Sequence, residues 1–403
     1  MKFQFNKNRI AACVLAVMSM GVHANEEQKG IAEGISSTVD VSFRYRIETV
    51  DQEGSLEKAE ASTLKTRATV KTSWSSQFDT LIEFDNVSVV GWDDYNAGAG
   101  NTPDTTNHAV VADPEGTDLN QAFVRYRGDN TSVAYGRQRI LIGNQRFVGG
   151  VGWRQNEQTY DSLTLNSEFA EDFKLSFAHV FNVNRIFGDD VDGGDHRHDT
   201  NLVNLDYKGL GNGTLSAYYF QIDNEAAAGL SNDTFGVRYS GKAGNFAYAV
   251  EYASQSDGGN NPNDYDADYF LLDAKYQQKN YAFGAGLEVL GGDTAGGQGF
   301  TTSLATLHKF QGWADVFLGT PVAGIEDLYI NGSFKVNGFN FKAIYHDFST
   351  DEGGVDLGTE IDFVVSKKIN KNLSAMFKYA DFSSDNAAYA SREKVWVMLT
   401  YKP

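Results

Sequence analysis

Residues 64–74 read Leu64-Lys65-Thr66-Arg67-Ala68-Thr69-Val70-Lys71-Thr72-Ser73-Trp74. The even positions are apolar or threonine. The odd positions are Lys65, Arg67, Thr69, Lys71 and Ser73. Successive side chains on a strand point to opposite faces, so this stretch has one face for hydrocarbon and one for water. About eighteen such stretches run from Ser36 to Tyr401. Segments of about ten alternating residues separated by turn residues mark a transmembrane β-barrel. The fold class expected is all-β: an 18-stranded antiparallel transmembrane β-barrel over residues 36–403.

Alternation bounded by turn residues predicts strands near 37–48, 63–74, 78–89, 118–127, 131–142, 157–167, 172–184, 199–208 and 214–223. Nine more follow near 232–240, 245–255, 266–277, 280–290, 326–336, 339–349, 357–367, 372–382 and 391–401. Tight turns are expected at 75–77, 128–130, 241–244, 278–279 and 337–338. Asn337-Gly338 is the strongest hairpin signal, because both residues tolerate positive φ. Longer links lie near 90–117, 143–156, 185–198 and 291–325. Short periplasmic turns and long external loops are the asymmetry of such barrels. The link 291–325 is too long to be structureless, so it is expected to hold local helix or strand and to fold over the mouth or into the lumen. An extra hairpin there, giving twenty strands, is the alternative.

Residues 1–24 have the form of a cleavable signal peptide. Lys2, Lys7 and Arg9 are basic, Ile10 to Met20 are apolar, and Val22-His23-Ala24 supplies the cleavage site. Residues 25–35 are then an N-terminal periplasmic segment. The only cysteine, Cys13, lies in the leader, which leaves the mature chain no disulfide and no thiolate chemistry. No mature segment has the 18 or more consecutive apolar residues of a helical span. Net charge is −19, and loss of three leader cations takes it to −22. No nucleic-acid partner is expected of so acidic a chain.

The inward register of the early strands carries Arg44, Arg46, Lys65, Arg67, Lys71, Arg125, Arg127, Arg137 and Arg139, with Arg146 and Arg154 just beyond. From Gln121 to Arg154 there are six arginines and one acid, Asp129. Guanidinium forks match carboxylates in a bidentate way, and a ladder of them in a pore would draw anions in. Asp79, Glu83, Asp85, Asp161, Glu251, Glu288, Glu360 and Asp362 also fall inward. They would neutralise some of these cations and suit a general porin.

Two blocks then carry a family resemblance. The first is Tyr135-Gly136-Arg137-Gln138-Arg139-Ile140, followed by Gly143-Asn144-Gln145-Arg146-Phe147-Val148-Gly149, Gly152-Trp153-Arg154-Gln155-Asn156 and Thr159-Tyr160-Asp161. The second is His308-Lys309-Phe310-Gln311-Gly312-Trp313-Ala314-Asp315 with Leu318 and Pro321. The chain resembles the alginate-export porins. The resemblance implies a monomeric barrel in the bacterial outer membrane, among lipid and lipopolysaccharide, with an arginine-rich constriction for a polyuronate. It transfers by match to Arg137, Arg139, Arg146, Arg154 and Asp161. Arg44, Arg46, Arg67, Arg125 and Arg127 join as substrate-binding candidates from the register alone. The expected function is passive transport, as export or uptake, of an anionic polysaccharide or oligosaccharide such as alginate. The alternatives are a general diffusion porin, or a surface-binding barrel with a plugged lumen.

Other patterns carry less. His196-Arg197-His198 beside Asp189, Asp190, Asp192, Asp195 and Asp199 reads as a solvated acidic loop, since the spacing matches no EF-hand. The glycine runs near 284–297 lack the strand-to-helix turn of a nucleotide site. No hydrolase, zinc-protease or kinase motif is present. Neither an enzyme, a cofactor nor a metal is expected.

Overall fold

The computed structural model describes residues 28–29 and 34–403. The expected signal peptide over 1–24 lies outside the described residues, as does most of 25–35. Eighteen strands of eight residues or more follow: β1 (Ser36–Gln52), β2 (Ala59–Ser73), β3 (Phe78–Asp94), β4 (Gly116–Arg127), β5 (Thr131–Gln138) and β6 (Thr159–Ala170). Next are β7 (Phe173–Asn184), β8 (Asp195–Tyr207), β9 (Gly213–Ile222), β10 (Asn232–Ala243), β11 (Phe246–Asp257) and β12 (Asp266–Gln277). The last are β13 (Tyr281–Leu290), β14 (Ile325–Val336), β15 (Phe339–Ser349), β16 (Asp356–Lys368), β17 (Leu373–Ser384) and β18 (Arg392–Tyr401). Gln28–Lys29 adds a short antiparallel pairing to Ser36–Ser37.

Each strand pairs antiparallel with its chain neighbours. β18 then pairs with β1, from Arg392 opposite Gln52 to Tyr401 opposite Phe43. The sheet therefore closes and leaves no strand edge, the condition for strands to cross hydrocarbon. No helix among the described residues is long and apolar enough to cross a membrane. All eighteen expected strands are present. β5 ends at Gln138 rather than 142, and β8 begins at Asp195 rather than 199. The turn expected at 241–244 is tighter, because Gly241, Lys242 and Ala243 pair opposite Tyr248, Ala247 and Phe246. Links after even strands are short and links after odd strands are mostly longer. The turn at 337–338 has φ 49° at Asn337 and 79° at Gly338, the double positive φ of a type I′ hairpin.

The outward register is apolar. Tyr135, Phe235, Phe246, Phe283 and Ile330 are all exposed. Aromatic pairs gather where strands meet the short turns. Phe78 lies 5.2 Å from Tyr126, Phe246 5.1 Å from Tyr276, and Phe334 4.5 Å from Phe341. These pairs form an interfacial girdle at that rim.

The link 291–324 makes no extra hairpin. Its one regular piece is a single 3₁₀ turn, Leu307–Lys309. It folds into the barrel, where Phe300, Leu304, Trp313, Ala314 and Phe317 pack with Phe147 of link 139–158 and with wall residues Phe348, Phe382 and Trp396. The apolar core thus sits inside the barrel, between its wall and its own loops.

Outward and inward neighbours should answer a charge differently. Ile330→Arg at mid-strand is expected to cost about 2–4 kcal/mol of barrel stability. Asn331→Arg, one residue on and facing the lumen, should cost far less. Denaturant titration of both variants refolded in lipid vesicles measures the difference.

Candidate functional site: a charged lumen and two in-folded loops

Cross-strand register sets the first pairs. Arg67 of β2 stands opposite Asp85 of β3, and its Nε and Nη2 donate to that carboxylate at 2.6 and 2.5 Å. Arg125 stands opposite Asp79 and donates at 3.2 and 2.8 Å. Arg127 reaches the same carboxylate at 2.8 Å. Arg137 stands opposite Asp161 and donates at 2.8 and 3.2 Å. These are the two-pronged contacts that suit the guanidinium fork, and Asp161 holds Arg137 in this way.

The expectation that alternation alone carries Arg137 into the lumen is corrected by the structure. Along β5 the period would place Ala134 and Gly136 inside with Tyr135 and Arg137 outside. Ala134 is indeed buried and Tyr135 is 59% exposed. Gly136 breaks the period with φ 127°, and a Cβ there would lie 2.3 Å from the Ala122 carbonyl oxygen. Only glycine fits such a kink. Register shifts at Glu83/Phe84 and Asp161/Ser162 bend the neighbouring strands alike, as bulges do. Arg137 thereby shares a cavity with Asp85, Asp118 and Glu157.

Glu157 is the residue that sequence reasoning passed over on this wall. It accepts from Arg139, sits 2.9 Å from Arg67 and lies 3.7 Å from Lys65. Arg139 also reaches Glu83 at 2.5 Å. Burial by itself would raise the Glu157 carboxyl, but Lys65, Arg67 and Arg139 outweigh it and hold it well below the usual range. The register that put Asp161 inward also covered Glu157, but Leu163 of the same parity is exposed; Asp161 turns in at the register shift before Ser162.

The other candidates are enclosed. Arg46, Arg146 and Arg154 have side chains 0%, 1% and 7% exposed. Arg154 Nη1 donates to Glu48 at 3.1 and 3.0 Å, and its Nη2 donates to Asp315 at 3.0 Å. Arg46 donates to Asp113 at 3.0 Å and lies over the Trp153 ring at 4.5 Å. Arg44 donates to Gln155 Oε1 at 2.8 Å and to the carbonyls of Gly152 and Arg154. Arg146 Nε lies 2.9 Å from Glu288, and its guanidinium sits over Phe310 at 4.7 Å. The expectation that these forks face a passing solute is corrected by this geometry. They are spent on loop and wall, because two polar loops fill the space in front of them.

The two blocks that carry the family resemblance meet here. Trp153 stacks on His308 at 4.5 Å and 9°. His308 Nδ1 lies 2.6 Å from Asp315, and its Nε2 lies 2.6 Å from the Lys378 ammonium. The neutral Nδ1–H tautomer satisfies both contacts. Lys394 of β18 adds a 2.6 Å contact to Asp315. Burial, ahead of the opposing pull of Asp315, holds His308 well below the usual histidine value. Burial would lift Asp315, but His308, Lys394 and Arg154 keep it well below the carboxylate range. Asp113 is likewise lowered, Arg46 and Arg154 outweighing its burial. Elsewhere, His198 bonds Thr200 at 2.9 Å and His196 bonds Asn224 at 3.0 Å, both from within β8.

Two outcomes test this latch. Asp315→Asn leaves Arg154 and Lys394 facing no full charge from the loop. Removing one partner of a buried pair typically costs about 3–5 kcal/mol. Limited proteolysis within 291–324 should accelerate accordingly, while the barrel keeps its fold. Acidification should act in the same direction. His308 is held neutral in the fold, so the unlatched loop takes up the extra proton as pH falls below the usual 6.5. The loss grows below the usual 3.8 of Asp315. Current noise from loop movement should therefore rise as pH steps down through this window and stay flat above it.

In sequence, no curated protein matches the chain. In fold, it is similar to OccAB4 of Acinetobacter baumannii, with 13% identity and TM-score 0.69 over 93% of this chain and 99% of that one. It is also similar to OccK11 (OpdR) of Pseudomonas aeruginosa, at 15% and 0.69 over 94% and 99%. A third likeness is to Pseudomonas aeruginosa OpdK, solved with vanillate, at 12% and 0.68 over 93% and 100%. At these identities the likeness concerns the fold. The family model described as alginate export matches residues 59–349, a span that takes in both resemblance blocks and Arg67, Arg125, Arg127, Arg137 and Arg139. The chain belongs to the alginate-export family and is a channel of the bacterial outer membrane.

Proposed function

We propose that the channel passes anionic saccharides of the polyuronate class by passive diffusion. The observation that carries this reading is the row of arginines on β2, β4 and β5, namely Arg67, Arg125, Arg127 and Arg137, continued by Arg139. Their side chains are between 17% and 53% exposed. Each is held from behind by a carboxylate that uses only part of its five N–H donors. A fork aimed by Asp161 or Asp79 can still donate to a passing carboxylate. The contact would be weak because the arginine is already half-neutralised. Several weak sites in series let a solute through, where one strong site would hold it. In this reading Arg44, Arg46, Arg146 and Arg154 act on the loops that narrow the path, and Asp161 positions Arg137.

One observation favours a general porin instead. The acids on this wall, Asp79, Glu83, Asp85, Glu157 and Asp161, answer the arginines almost one for one. Such a lumen could orient water without choosing a sign. The two readings part in a planar bilayer. A KCl gradient should give an anion-selective reversal potential, and tetra-mannuronate should block single channels in resolved events. Arg137→Gln with Arg139→Gln should shift selectivity toward cations and shorten the blocks about tenfold, equal to about 1.4 kcal/mol. A cation-selective wild type without block would overturn the polyuronate reading.

A further inference from the structure

The arginine row occupies the wall from β1 to β5. In a closed ring of eighteen strands the wall around β12 and β13 stands half a turn away. There, cations from β10, β12, β15 and link 291–324 surround one cavity of about 300 Å³: Arg238, Lys275, Lys342 and Lys309. Lys275 lies near the end of β12, just before its short turn. Lys342 lies near the start of β15, just after its own. Lys309 and Phe310 of the in-folded loop also line the cavity. It therefore sits toward the short-turn side of the loops.

The charges around this cavity do not balance as they do on the arginine wall. Arg238 is paired with Glu251. Glu288 is held by Arg146, by Gln311 and by the Tyr269 hydroxyl at 2.7 Å. Asp327 faces His346 at 2.9 Å. Asp273 accepts from the Tyr329 hydroxyl at 2.8 Å. Lys275 and Lys342 form no ion pair among the described residues. Lys309 donates to a neutral group, the Asn144 carbonyl, at 2.7 Å. Burial, then the neighbouring Arg238, holds the Lys309 ammonium below the usual lysine value, as a cation lacking its counter-charge should behave. Three ammoniums thus face one carboxylate that has no cation of its own.

We propose that this cavity is a second anion site, which takes a carboxylate of the acidic saccharide on the short-turn side of the loops. The site rests on the polyuronate reading above and lies in series with the arginine wall. Ammoniums suit the role because they bind an oxyanion as point charges with no fixed fork geometry. Phe310 and Tyr329 add ring surface beside them, against which the apolar face of a sugar can lie.

Single-channel recording with tetra-mannuronate, added to one side at a time, tests the proposal. Lys275→Gln with Lys342→Gln should shorten the blocking events from one side of the membrane about tenfold. Events from the other side should be nearly unchanged, and Lys275→Arg with Lys342→Arg should restore the block. Lys309→Gln provides a second variant outside the strand ladder, where barrel assembly is untouched. It should shorten the same events. Wild-type residence times in Lys309→Gln, or in the double glutamine variant, would overturn the second site alone. No block of the wild type from either side would instead overturn the polyuronate reading on which the site depends.

Discussion

An amide buried in hydrocarbon has no water to bond, so the ladder must return to its own beginning. The pairing of Arg392–Tyr401 with Ser36–Gln52 meets that demand, and the rest of the molecule depends on it. Once the wall is closed, each strand residue faces either acyl chains or the interior. The alternation of Phe43, Tyr45 and Ile47 with Arg44, Arg46 and Glu48 becomes a sorting of oil from charge. The aromatic pairs at the short-turn rim belong to the same sorting, since rings with polar tips favour the headgroup level.

Closure creates a second problem. A ring of eighteen strands surrounds more space than its wall side chains fill, and the chain occupies part of it with its own loops. Those loops bring Trp153, His308, Trp313 and Phe317 into the interior, and they bring polar groups with them. Charges taken out of water are tolerated only when paired. Arg154 between Glu48 and Asp315, and Arg46 against Asp113, are the form this takes here. The two blocks of sequence by which the family is recognised lie about 160 residues apart and touch at Arg154 and Asp315. Their common purpose in the fold is to hold two loops against one wall.

This arrangement separates two populations of cation that look alike in the chain. Arg46, Arg146 and Arg154 are structural ties. Arg67, Arg125, Arg127, Arg137 and Arg139 keep part of the guanidinium open to the lumen while a carboxylate fixes its direction. Fixing an arginine costs it charge and gains it orientation. A channel for an acidic polymer would need that exchange, since free forks at full charge would hold the polymer in place. The lysines across the barrel follow the opposite rule, with no ion pair among the described residues to compensate their charge.

The number of strands, their order and their lipid-facing residues were legible in the sequence, because period two and turn chemistry are local properties of the chain. So was the inward aim of Arg67 and Arg125, and the parity of Arg44 and Arg46 pointed to Glu48 as well. What stayed hidden is what depends on distant segments meeting. Gly136 and the neighbouring bulges swing Arg137 into the lumen against the simple period, and a register shift needs both strands to be seen. Link 291–324 has no repeat to betray its path, so its descent onto Glu360, Lys378 and Lys394 could not be read from it. The sequence by itself determined which face each strand residue takes, since that follows from backbone geometry one residue at a time. Only the tertiary structure decided which arginines are spent on loops and which remain open to a solute, since ion pairs form between residues the chain holds far apart.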